Sequence, residues 1–271
     1  MSIKTERVKY GDETGWLALP ARAAAPLPAV VVIQEIMGLN AHIEDVARRV
    51  AAAGYAALAP DLYAAGGGRP PALERGRIDT AMAFMASLPP GSFGDPAARD
   101  AGLARLPESQ RRPVGETLNQ LFAGMRDRMP VILASLRRAV GYLRRERPET
   151  RGSKVGCVGF CMGGGLSALL ACEEPDLSAA VVYYGMTPPA EKLAGIPCPV
   201  LAFYGEKDVR VNAGIPAFQD GMRKQGKPYE HHVYPGAMHA FFNDDGPGYD
   251  VNAARDSFWR MLSFFALHLS G

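Results

Sequence analysis

Residues 29–34, Ala-Val-Val-Val-Ile-Gln, form an unbroken apolar and β-branched run. A strand of that composition is buried on both faces, which requires a sheet with helices packed on each side. The next segment has a different period. Ile43, Val46, Val50 and Ala53 recur at helical spacing, and Gly54 supplies a C-terminal stop. Residues 55–60 then read as the next strand, ended by Pro60. The alternation resumes later, with strands expected at 154–160, 179–185, 200–208 and 229–235. Helices are expected at 163–172, 215–226 and 252–269. Residues 8–10 and 16–19, on either side of the turn from Gly11 to Gly15, read as an opening antiparallel hairpin. The expected class is therefore α/β, with a mostly parallel central sheet covered by helices on both faces. Ligands of such sheets bind where strands end.

Residues 64–129 break the rhythm. A Gly/Pro/Arg-rich connector leads to a short helical pattern at 77–88, then to a breaker-rich stretch over 87–115. A pattern at 116–128 leads into a longer helix that resumes after Pro130. We expect a single domain over 1–271 in which 64–129 is a lid-like or cap-like insertion, a plain surface elaboration being the equal alternative. The chain carries 30 basic and 28 acidic residues, a net charge of +2. That balance gives no electrostatic footprint for nucleic acid or an anionic membrane surface. No apolar run approaches the ~18 residues of a membrane span, and the charged opening from Lys4 lacks a signal-peptide core. The four cysteines have neither disulfide-scaffold density nor CxxC spacing. A reduced, cytoplasmic protein is the expectation, as a monomer or small homo-oligomer, with no metal and no organic cofactor.

Gly159-Phe160-Cys161-Met162-Gly163 falls where a strand meets a helix. This is the G-x-nucleophile-x-G pattern of a nucleophile elbow, with cysteine in the place of serine. Such a turn lifts the side chain to a helix N-terminus, whose amides favour a thiolate. Cys157, two residues earlier on the strand, reads as core. A dinucleotide loop at 163–168 is disfavoured, because it starts inside the helix and no acidic residue ends the following strand.

The hydrolase order is nucleophile, acid, histidine. Asp208 closes the strand 200–208, and His239 follows the next strand on a turn opened by Pro235 and Gly236. A histidine can accept the thiol proton while an acid on its other nitrogen fixes the tautomer. Glu206 is the competing acid, with a surface role in the turn as its expected fate. His42, His231, His232 and His268 read as structural, and a metal site from His231, His239 and Asp244 has no supporting spacing. Glu35 ends the run 29–34 and could be an ordinary surface glutamate. If its strand is central, the amides of Ile36 and Met162 are placed to form an oxyanion hole.

The stretch from Val30 to Tyr63, together with 154–165, 181–185, 205–208 and 236–242, resembles the dienelactone hydrolase family (carboxymethylenebutenolidases) of the α/β-hydrolase fold. The Q-E-I-x-G-x-N and G-x-C-x-G-G elements carry the resemblance, which spans the chain except 64–129. It implies a triad of Cys161, Asp208 and His239, with Glu35 as a further active-site carboxylate that helps generate the thiolate. It also implies a small lactone or ester as substrate. One departure is Asn243, at a position where dienelactone-cleaving members carry a carboxylate-clamping arginine. Two rival readings are a peroxide-reactive redox thiol at Cys161 and a binding protein on a hydrolase scaffold.

Overall fold

The computed structural model describes residues 2–22, 26–89 and 91–270; Pro90, in the breaker-rich stretch, lies outside them. The chain begins with strands β1 (Ile3–Tyr10), β2 (Glu13–Pro20) and β3 (Ala29–Ile33), helix α1 (Ala41–Ala52) and strand β4 (Ala56–Pro60). Four helices follow: α2 (Arg75–Ala86), α3 (Pro96–Ala104), α4 (Glu108–Phe122) and α5 (Gly124–Gly141). The chain continues through β5 (Val155–Phe160), α6 (Met162–Glu173), β6 (Leu177–Tyr183) and β7 (Val200–Gly205). It ends with α7 (Val209–Asn212), α8 (Ile215–Lys224), β8 (Tyr229–Tyr234) and α9 (Val251–Leu269). Two compact units result, one from Met1–Leu62 with Leu133–Gly271, the other from Tyr63–Ile132. Among the described residues, no helix is long and apolar enough to cross a membrane.

The larger unit holds one sheet of eight strands in the order β1-β2-β4-β3-β5-β6-β7-β8. β1 pairs antiparallel with β2, and β2 antiparallel with β4. All other pairings are parallel. This is the expected α/β-hydrolase sheet, and the hairpin strands simply run longer than their apolar cores. β3 lies inside the sheet between β4 and β5, and all five of its residues are buried. On one face Val30, Val32, Val158, Phe160, Val181 and Tyr183 pack against Ile43, Val46 and Val50 of α1 and Met261 and Phe265 of α9. On the other face α6 lies against β5, where Ser167 meets Cys157 at 3.1 Å. Asn40 caps α1 by accepting from the Ile43 amide at 3.0 Å.

The smaller unit departs from the sequence expectation. The stretch 87–115, read as breaker-rich, carries α3 and the first half of α4 among its described residues. Pro96 stands in the first turn of α3, where its missing N–H is no loss, and Asp95 caps the Ala97 and Ala98 amides. Pro113 sits inside α4, and burial outweighs its propensity cost: Val114 and Leu118 pack with Ala81 and Met85 of α2. α5 likewise passes through Pro130 instead of resuming after it.

The tightest backbone in the larger unit is the β5–α6 junction. A methyl group on Gly159 would stand 1.8 Å from the Gly163 carbonyl oxygen. One on Gly163 would stand 2.4 Å and 2.5 Å from the carbonyl oxygens of Ile33 and Gln34. Backbone cannot yield as a flexible side chain can. Gly163→Ala should therefore destabilise the fold by about 3 kcal/mol in urea denaturation, as overpacking of a tight core does. Gly115, in α4, has only an ordinary 3.8 Å neighbour in Leu103. Gly115→Ala should stabilise by ~0.5–1 kcal/mol in the same measurement, from helix propensity alone.

Candidate active site

β5 delivers the chain to Cys161, whose backbone has φ 54° and ψ −115°. A non-glycine residue at positive φ is strained and persists only where its surroundings hold it. Here the Cys161 amide donates to the Tyr183 carbonyl at 3.0 Å. Its own carbonyl accepts from the amides of Gly164 and Gly165, the first turn of α6. The side chain thus stands partly exposed at the N-terminus of a twelve-residue helix. Cys157 is the opposite case. It is buried, bonded to Ser167, and burial pushes its thiol up to about 12. Burial also pushes Cys172 up to about 11 and raises Cys198 well above the ordinary thiol.

The acid and histidine lie on two turns that are bonded to each other. The Glu206 amide donates to the Tyr234 carbonyl, and the Lys207 amide to that of Ala237, each at 3.0 Å. The Gly236 amide donates to the Glu206 carboxylate at 2.7 Å. Glu206, the competing acid of the sequence reading, therefore joins the turns, while Asp208 is the residue that meets His239. Asp208 Oδ2 bonds His239 Nδ1, and the ring's remaining side reaches the Cys161 thiol. Burial of the imidazole works against its charge, yet Asp208 and Cys161 prevail and push it up to about 10. Three residues from the ends of three strands thus form one hydrogen-bonded line.

Glu35 is no surface glutamate. It is 3% exposed, and both its oxygens accept: Oε1 from the Tyr184 hydroxyl at 3.2 Å, Oε2 from Asn243 Nδ2 at 2.6 Å. Tyr184 lies within the electrostatic reach of both Glu35 and Cys161. Its phenol is raised well above the ordinary value, first by burial and then by the charges at Glu35 and Cys161. Its ring also lies edge-on to His239, 5.1 Å between centroids. Ile36 follows Glu35 in a turn closed by the Gly38 amide on the Glu35 carbonyl, and Met162 opens α6 beside Cys161.

Sequence reasoning missed Tyr184 and the partner role of Asn243. The only signal for Tyr184 was its place after an apolar strand, where φ turns to 38°. His42, read as structural, is buried and bonded to Asp244, whose other oxygen takes Arg49. Asp244 is therefore committed to α1 and not to a metal. His231 stacks on Tyr229, and His232 bonds Glu230.

Comparison with known proteins bears on the family and the fold. The family model described as "Dienelactone hydrolase family" matches residues 14–269. A protein of Saccharolobus solfataricus named "Putative carboxymethylenebutenolidase" is 37% identical over 240 residues, 88% of this chain and 89% of that protein. A like-named protein of Yersinia pestis is 30% identical, covering 95% of this chain and 85% of its own. Among solved structures, the "Putative Dienelactone Hydrolase" of Klebsiella pneumoniae superposes with a TM-score of 0.73 at 26% identity, over 99% of this chain and 100% of that one. A match over nearly the whole length, on a sheet that carries the elbow at the expected strand end, leads to one conclusion: the chain belongs to the dienelactone hydrolase family.

Proposed function

We propose that this hydrolase cleaves a lactone or small carboxylic ester through Cys161, with His239 as proton carrier and Asp208 as its orienting acid. The observation that carries the reading is the line from Asp208 through His239 to a thiol held at positive φ on a helix N-terminus. His239 holds the thiol proton as an imidazolium, and the Cys161 sulfur attacks the carbonyl carbon. The oxyanion that forms is held by the amides of Ile36 and Met162. Collapse breaks the C–O bond, and the imidazolium returns its proton to the departing alkoxide. Cys161 is left as an acyl thioester. Water then gives a proton to His239, adds to the thioester carbonyl and releases the carboxylic acid and the thiol. Glu35, held by Tyr184 and Asn243, helps activate the thiol.

The other cysteines support hydrolysis over redox chemistry. A peroxide-reacting Cys161 would call for an accessible second thiol, whereas burial raises all three of the others.

Cys161→Ala should lower kcat/KM for a p-nitrophenyl ester by about 10⁴-fold or more, the loss typical of a missing nucleophile. Cys172→Ala should stay within about twofold of wild type, because burial raises that thiol and the mechanism does not use it. Residual wild-type rates in Cys161→Ala would contradict the assignment.

The charge state of His239 gives a separate prediction. Its folded-state value, about 10, lies above the ordinary 6.5. The stability gained from the charged ring is then fully present below pH 6.5 and is lost as pH rises through 10. The difference in urea midpoint between wild type and His239→Gln should shrink over that window. In imidazole NMR titrations, His239 should titrate near 10 in wild type and lower in Cys161→Ala, which removes one of its two partners.

A further inference from the structure

Val209 and Met238 are large apolar residues left 76% and 54% exposed. Single exposed apolar side chains are ordinary on a protein surface. These two, however, stand on adjoining turns, and each is one residue from the hydrogen-bonded pair of Asp208 and His239. Val209 follows Asp208, and Met238 precedes His239.

The two turns are pressed together. A methyl group on Gly205, the last residue of β7, would stand 2.5 Å from the Met238 carbonyl oxygen and 2.7 Å from that of Ala237. No side chain fits there, so the segment that leads into His239 lies directly against the end of β7. The single turn of α7 is fastened to the same strand end. Asn212 Nδ2 donates to the Gly205 carbonyl at 2.8 Å and to that of Glu206 at 3.2 Å. The Asn212 amide donates to the Asp208 carbonyl at 2.9 Å. Within that turn Val211 is the buried residue, and Val209 is left to solvent. Packing of the core therefore accounts for Val211 and not for Val209 or Met238.

The chemistry of the proposed reaction gives these side chains a use. The imidazolium hands its proton to the departing alkoxide, so at that step the leaving oxygen stands about 3 Å from the ring of His239. That side chain is 39% exposed, open to an incoming ester. The carbon on the leaving oxygen thus starts beside the turn that carries Met238, with Val209 on the turn against it. We propose that Val209 and Met238 pack against the alcohol portion of the substrate, and that this portion is an uncharged aliphatic group. Methionine adapts to varied shapes, so the surface grades alcohols by apolar length and not by a fixed outline. The proposal rests on the reading of Cys161 as nucleophile and His239 as proton carrier. Lys207 and Arg210, exposed on either side of Val209, would favour the opposite chemistry, an alcohol that bears a carboxylate.

The test compares the acetate esters of ethanol, butanol and hexanol by acid release. All three pass through the same acetyl thioester, so the alcohol acts on kcat/KM and leaves deacylation alone. A fully buried methylene is worth about fourfold, and a half-exposed surface should give about twofold for each, roughly 16-fold from ethyl to hexyl. Val209→Ser combined with Met238→Ser should compress that span to about threefold or less. Each single variant should fall between, and these serve if the double variant does not fold. Leu267→Ser should keep the wild-type span. Leu267 is as exposed as Val209, but it lies in α9 two residues from Leu269, which borders Gly156 at the start of β5, the opposite end from Cys161. The acetate ester of 6-hydroxyhexanoate should react at least about fivefold more slowly than hexyl acetate, because its charge resists apolar contact. A flat wild-type series, a wild-type span in the serine variants, or a preference for the carboxylate-bearing ester would overturn the proposal alone. Hydrolysis that persists in Cys161→Ala would overturn the reading of Cys161 and this proposal with it.

Discussion

The carbonyls at the end of β3 press on the α-carbon of Gly163, and the rest of the site follows from that backbone contact. No side chain fits between Ile33, Gln34 and the first turn of α6. The helix can therefore start close against the strand, and the residue before it is driven to positive φ. The strain at Cys161 is balanced by bonds on both sides, from its amide to β6 and from the helix amides to its carbonyl. Glu35 and Ile36 leave β3 just beyond that contact. A parallel register pairing Ile33 with Gly159 makes the two strands end together.

Charge placement builds on that frame. A thiolate and an imidazolium are costly separately and favourable as a pair, and the Asp208 carboxylate behind the ring makes the charged form persist. The turns that carry Asp208 and His239 hold each other through two backbone bonds and the Glu206 carboxylate. Their relative position is thus paid for in folding and not at each turnover. Glu35 takes a neutral donor at each of its oxygens.

How much of this was legible in the sequence depended on range. The apolar run 29–34, the helical spacing after it and the glycines around Cys161 are local patterns, and each marks its element directly. The order Cys161, Asp208, His239 was readable because each residue closes a recognisable strand. Pairings across hundreds of residues left no local mark. The bond between Asn243 and Glu35, and that between Asp244 and His42, required the fold to bring β3, α1 and the last turn together. The breaker-rich stretch 87–115 misled for a different reason. Pro96 at a helix start is harmless, and apolar burial carries α4 through Pro113.

The central claim is that Cys161 carries the acyl group, and the intermediate itself is the most direct evidence. His239→Ala, mixed with excess p-nitrophenyl ester and quenched over a time course, should be read by intact mass and peptide mapping. The account predicts one acyl mass per chain, located on Cys161, removed by hydroxylamine and absent when Cys161 is also alanine. Turnover of the ester by wild type, with an acyl group on a different residue of the His239→Ala protein, would contradict it.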